Sequence, residues 1–100
     1  GVRYSYYPDG RIQKEETYKF NLLNGAVKTF YEVGTPESVG EYRSGRKHGV
    51  FTSYYGNGKI KEQGEYIADK KHKEWRTYND QGELLNSIIF KAGNPVMAEK

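Results

Sequence analysis

Apolar residues along this chain come in short alternating bursts and never in long runs. Val50 to Tyr55 is rich in β-branched and aromatic side chains. Ile60 to Ile67 places Ile60, Gly64 and Tyr66 on one face and Lys59, Lys61, Gln63 and Glu65 on the other. Alternation of this kind describes a half-buried strand. Between the two stretches lies Gly56-Asn57-Gly58, and Pro8-Asp9-Gly10 and Asp80-Gln81-Gly82 divide comparable stretches elsewhere. Gly and Asn tolerate the positive φ that tight turns demand, so strand, turn and strand predict a β-hairpin. No apolar stripe at helical spacing survives the glycines for more than about two turns, and helices are not expected. The longest apolar stretch, Leu84 to Phe90, is broken by Asn86 and Ser87. It falls short of the roughly 18 residues of a membrane-spanning helix.

The hairpin recurs. Gly10, Gly34, Gly58 and Gly82 are evenly spaced, 24 residues apart. An aromatic ring stands four residues before each (Tyr6, Phe30, Tyr54, Tyr78) and another eight residues after each (Tyr18, Tyr42, Tyr66, Phe90). Gly1, Gly25 and Gly49 start units, and Asn21, Gly45, Asp69 and Gly93 mark a second turn. Several columns in one register indicate a repeat array. The units are 1–24, 25–48, 49–72 and 73–96, forming one domain over 1–96 with a tail at 97–100. The expected fold is all-β: four hairpins, about eight strands, in an elongated twisted antiparallel meander.

Composition refines this picture. Of 100 residues 35% are hydrophobic and 29% charged, and ten of the aromatics are tyrosine. That is too apolar for a disordered chain and too poor in aliphatic residues for a thick core, which favours a thin sheet built on amphipathic rings. Zero cysteines exclude disulfides, thiolate metal sites and thiol catalysis. Such a chain suits the cytoplasm as well as the periplasm or cell surface, with the latter pair slightly favoured. The net charge of +3 is spread among both signs, without the basic run expected of a nucleic-acid binder.

Four sets of residues are candidates for function. Tyr6, Phe30, Tyr54 and Tyr78 are expected to form core. Their neighbours Tyr7, Tyr31 and Tyr55 should then point to the opposite face as an exposed binding stripe. The corners Arg46-Lys47-His48 and Lys70-Lys71-His72 fall at equal unit positions on one edge. There Arg46, Lys47, Lys70 and Lys71 are candidates for an anionic partner, although solvated turn residues are the plainer account. His48 and His72 make a poor metal pair without cysteines or clustered carboxylates. Glu15, Glu16, Glu41 and Glu65 interleave with lysines and offer no cleft for acid–base chemistry, so no enzyme and no cofactor are expected. The last strand differs from its equivalents, because Leu84, Ile88 and Phe90 belong to a segment apolar on both faces. A second copy, a partner protein or the folded-back Asn94 to Met97 should cover it.

The pattern Gly–x–aromatic–x–x–Tyr–Tyr, then Gly–Lys–Ile–Lys and Gly–x–Tyr, clearest over 49–66, resembles the variant MORN repeats of bacterial antitoxin-like proteins. MORN stands for membrane occupation and recognition nexus. The resemblance implies an elongated sheet that binds and does not catalyse: an interaction or scaffold module that masks a partner protein. The alternative it implies is attachment to a membrane or cell surface through anionic lipid or glycan. Lys73 for the unit-start glycine, Asn79 for the second tyrosine, Ile88 for a glycine and Thr35-Pro36 for Gly-Lys-Ile depart from the pattern. Choline- and glucan-binding repeats also use aromatic hairpins but are richer in tryptophan, and this chain has only Trp75.

Overall fold

The computed structural model describes residues 1–96 and contains strands without helices. Ten strands follow in order: β1 Val2–Tyr6, β2 Ile12–Lys19, β3 Leu22–Phe30, β4 Pro36–Arg43, β5 Arg46–Lys47, β6 Gly49–Tyr54, β7 Ile60–Ile67, β8 Lys70–Tyr78, β9 Leu84–Lys91 and β10 Asn94–Pro95. All pairings are antiparallel and sequential, β1-β2-β3-β4-β6-β7-β8-β9-β10, with the short β5 also on β4. The molecule measures 52 × 36 × 14 Å, a single open layer. The all-β meander expected from the repeat is therefore observed. Its eight long strands are joined by two short ones, one of them, β5, separated from β6 by His48.

Two alternating turn types explain the sequence period. In the first, Tyr7 N–H donates to the Arg11 carbonyl at 2.8 Å, Gly10 N–H donates to the Tyr7 carbonyl at 2.9 Å, and Gly10 has φ 92°. The same bonds close 31–35, 55–59 and 79–83. This is a turn followed by a glycine bulge, in which only glycine adopts the required φ without strain. The second type has two central residues at positive φ: Phe20-Asn21 (51° and 65°), Ser44-Gly45 (50° and 84°), Ala68-Asp69 (48° and 71°) and Ala92-Gly93 (52° and 86°). Two consecutive positive φ angles give the tight hairpin turn whose twist matches that of the strands.

Burial is concentrated near the middle, mainly on one face, with Thr52 buried on the other. Val27 and Trp75 are buried, Phe51 half-buried between them, and Trp75 is only 3% exposed. Each of these rings or branches stands opposite a second-strand residue: Val27 pairs Gly40, Phe51 pairs Gly64, and Trp75 pairs Ile88. Glycine makes room for the ring of the next unit. A β carbon on Gly64 would sit 2.0 Å from the Trp75 ring, and one on Gly40 would sit 3.1 Å from Phe51. The Tyr66 ring meets Trp75 edge-on at 4.9 Å and Phe51 at 6.0 Å. The core thus lies in the Val27–Phe51–Trp75 line and the Tyr66 column. The Tyr6 column is half-buried at Phe30, Tyr54 and Tyr78, while Tyr6 on the open edge strand is 57% exposed.

Candidate interaction surface

The tyrosine stripe is the first expectation the structure revises. Tyr7, Tyr31 and Tyr55 are half-buried, and each hydroxyl is committed. Tyr7 donates to the Phe30 carbonyl at 2.6 Å, Tyr31 to the Tyr54 carbonyl at 2.5 Å and Tyr55 to the Tyr78 carbonyl at 2.7 Å. The rings do not stand free as a platform. They staple each unit to the end of the next unit's first strand, because a phenol at a turn reaches across one strand spacing to an otherwise half-used carbonyl. The fourth position holds Asn79, which accepts from the Gln81 and Glu83 N–H groups and donates to the Glu83 carboxylate. The Tyr7 hydroxyl is held above the ordinary tyrosine pKa, first by desolvation and then by Glu37, Glu32 and Asp9.

The second corners gather charge. Lys19, Arg43, Arg46, Lys47, Lys70, Lys71 and Lys91 surround these turns, against the single carboxylate Asp69. The first corners carry Asp9, Glu32, Asp80 and Glu83 against Arg11 and Lys59. A sheet whose sequence intersperses charges is therefore polar across its width. The corners read from unit position, Arg46-Lys47 and Lys70-Lys71, form its middle, and Lys19, Arg43 and Lys91 extend it. Of the four expected anion ligands, Arg46 and Lys70 are exposed. With Lys71, Ile67, His72, Lys91 and Ala92 they line an open groove of about 480 Å³. Lys47 and Lys71 also lie on rings: Lys47 is 4.9 Å from the Tyr66 centroid, and Lys71 is 4.7 Å from Trp75 and 5.1 Å from Phe90. Such contacts are worth about 0.5–1 kcal/mol where exposed. At the tip of the same rim Phe20 is 88% exposed.

The third surface is β9. Leu85 and Ile89 are 64% and 56% exposed, Leu84 and Ile88 are also exposed, and Phe90 is half-buried beneath Lys71. The stub β10 pairs only with Lys91 and Phe90, and Val96 N–H reaches the Ile89 carbonyl at 2.7 Å. Among the described residues, the fold-back considered for Asn94 to Met97 covers one end of β9 and nothing lies along 84–88; Met97 and the 97–100 tail lie outside the described residues. Among the described residues no three His, Asp or Glu side chains cluster as a metal site, and no helix is long and apolar enough to cross a membrane.

A protein-family model described as MORN repeat variant matches residues 1–20 and 47–68. Two of the four units are thus similar to MORN-type repeats. The two matched stretches are equivalent hairpins: β1-turn-β2 in one and β6-turn-β7 in the other. The stretches between and after them hold the departures Thr35-Pro36, Asn79 and Ile88. Hairpins of the same build make up the rest of the sheet, and the staples and ring-over-glycine packing recur from unit to unit. No curated protein and no solved structure matches the chain.

Proposed function

We propose that this protein is a non-catalytic interaction scaffold of the MORN-repeat type that binds another protein at its terminal strand, in the manner of an antitoxin-like mask. The observation that carries this reading is the outer edge of β9: backbone over 84–88 that no described residue pairs with on its outer side, apolar side chains on both faces, and no charge from Leu84 to Phe90. Exposed edge strands are ordinarily blunted by charge, and an uncharged one is a template for strand addition by a partner. The single-layer sheet, stapled from end to end, presents that edge rigidly.

A second reading is supported by the basic rim. Seven cations along one edge, with Phe20 at its tip, suit attachment to an anionic membrane or to a charged cell-surface glycan. Each basic residue held at an anionic membrane contributes about 1 kcal/mol, and salt weakens the whole.

The two readings separate in one experiment. Extract and envelope fractions of the source cell are passed over the wild-type chain and over a Leu85→Lys/Ile89→Lys variant that keeps the wild-type circular dichroism. One protein retained in near-equal amount by wild type and lost by the variant supports the mask. Retention of lipid or polysaccharide alone, equal on both chains and released by salt, refutes it in favour of the rim.

A further inference from the structure

The three junctions between units share one design, and the two ends of the array depart from it in opposite ways. At every junction a tyrosine hydroxyl of one unit donates to a carbonyl closing the next unit's first strand. The second turn adds another link: Gly45, Asp69 and Gly93 N–H donate to the Leu23, Lys47 and Lys71 carbonyls. Where the incoming unit brings a ring, the receiving strand offers glycine, Gly40 for Phe51 and Gly64 for Trp75. Where it brings the smaller Val27, Glu16 is accommodated opposite.

The C-terminal edge lacks both requirements. Asn79 stands where the staple tyrosine would be, and its side chain is consumed by its own turn. Ile88 stands where the glycine would be. At Gly64 a single added carbon would already come within 2.0 Å of the neighbouring ring, so the whole Ile88 side chain leaves an incoming ring no space. The N-terminal edge instead supplies the other half of the junction, a strand with outward amides and an acceptor carbonyl. Gly1 exchanges two hydrogen bonds with Tyr18, which turns the amides of Val2 and Tyr4 outward in the alternating antiparallel pattern. The Phe30, Tyr54 and Tyr78 carbonyls each carry a tyrosine hydroxyl, whereas among the described residues the Tyr6 carbonyl carries none. The side chain on the ring position is Arg3, which is flexible and lies over Tyr18 at 5.0 Å.

We infer that the outer edge of β1 is a docking site for one further hairpin of this chain's own kind, and that β9 is closed to such a hairpin. The occupant of β1 is defined by its chemistry: a second strand with glycine opposite Arg3 and a first turn with a tyrosine that reaches the Tyr6 carbonyl. Continuity with three existing junctions specifies it. Because β9 refuses the same unit, copies of the chain do not add head to tail into an open fibre, the outcome that a matched pair of edges would permit. This holds whether or not a foreign protein binds β9.

The test joins an extra copy of residues 49–72 to the full chain in register, either directly before Gly1 or directly after Val96. This unit supplies Tyr55 and Gly64 to the first fusion and presents Phe51 to Ile88 in the second. Amide exchange of Val2 and Tyr4 should slow by about 100-fold or more in the N-terminal fusion. The outward amides of Leu85 and Ser87 should exchange as in the parent in the C-terminal fusion. Phenylalanine at the fused copy's staple tyrosine should reverse part of the N-terminal protection. Asn79→Tyr with Ile88→Gly should confer protection on the C-terminal fusion; retained Trp75 fluorescence shows that this variant folds. Unchanged exchange at Val2 and Tyr4 overturns the docking site. Equal protection of Leu85 and Ser87 without the substitutions overturns the closed edge.

Discussion

Gly64→Ala is the most demanding test of how this sheet builds a core from one layer. The added methyl would lie 2.0, 2.2 and 2.5 Å from three atoms of the Trp75 ring, where ordinary contacts begin near 3.4 Å. Trp75 has little freedom to retreat. Its indole N–H donates to the Glu65 carbonyl at 3.0 Å, its face stacks near Phe51 at 6.1 Å, its neighbour Tyr66 meets it at 4.9 Å, and Lys71 covers it at 4.7 Å. A strained native state costs about 1–3 kcal/mol for overpacking. Ejecting the ring loses its burial, about 3–5 kcal/mol by comparison with truncating a buried aromatic. The smaller of these costs governs, so a loss of about 2–3 kcal/mol is expected. For a domain of this size that lowers Tm by roughly 10–20 °C, at about 4–8 °C per kcal/mol. Gly56→Ala, which meets nothing within 4 Å, is the control and should stay within about 0.5 kcal/mol. Thermal melts followed by Trp75 fluorescence report both. A Gly64→Ala melt indistinguishable from that of Gly56→Ala would refute ring-over-glycine packing.

Other outcomes follow from the same contacts. Tyr55→Phe should cost about 0.5–1.5 kcal/mol in a denaturant titration by removing the bond to the Tyr78 carbonyl, whereas Asn79→Phe should cost only the capping of its own turn. The Tyr42 and Tyr66 hydroxyls titrate above the ordinary tyrosine value, chiefly through burial, with Asp69 and Glu16 adding at Tyr42 and Glu62 at Tyr66. A folded-state value above the unfolded one of about 10 means their contribution is intact below that pH and lost as pH rises through the folded value. Tm should therefore fall in step with phenolate absorbance above about pH 10, and less steeply in Tyr42→Phe/Tyr66→Phe. The Glu74 carboxyl is held below its ordinary range by its hydrogen bonds from Ser87 and Arg76. Its contribution should vanish as pH falls through that lowered value, and Ser87→Ala should move the Glu74 titration upward by NMR.

Much of this protein was legible in one dimension. The even glycine spacing, the paired aromatic columns and the turn residues determined hairpins, their number and their order, because turn geometry is local and a repeat must fold the same way each time. The roles of individual tyrosines were not legible. Tyr6 and Tyr7 are adjacent, and strand alternation assigned one to the core and the other to solvent. The turn bulge after Ser5 shifts the register there, and it is Tyr7 that reaches a neighbouring unit. That carbonyl acceptor lies 23 residues away in sequence, beyond any local pattern. Likewise Asn79 and Ile88 read as departures until the sheet placed them at the last junction, and Lys19 and Lys91 joined the two basic corners only when turns of one kind aligned on one edge. Sequence alone determined the repeat and its turns, since those depend on neighbours along the chain. Tertiary structure decided which rings pack, which staple and which edge stays open, since those depend on what the adjacent unit brings across the strand.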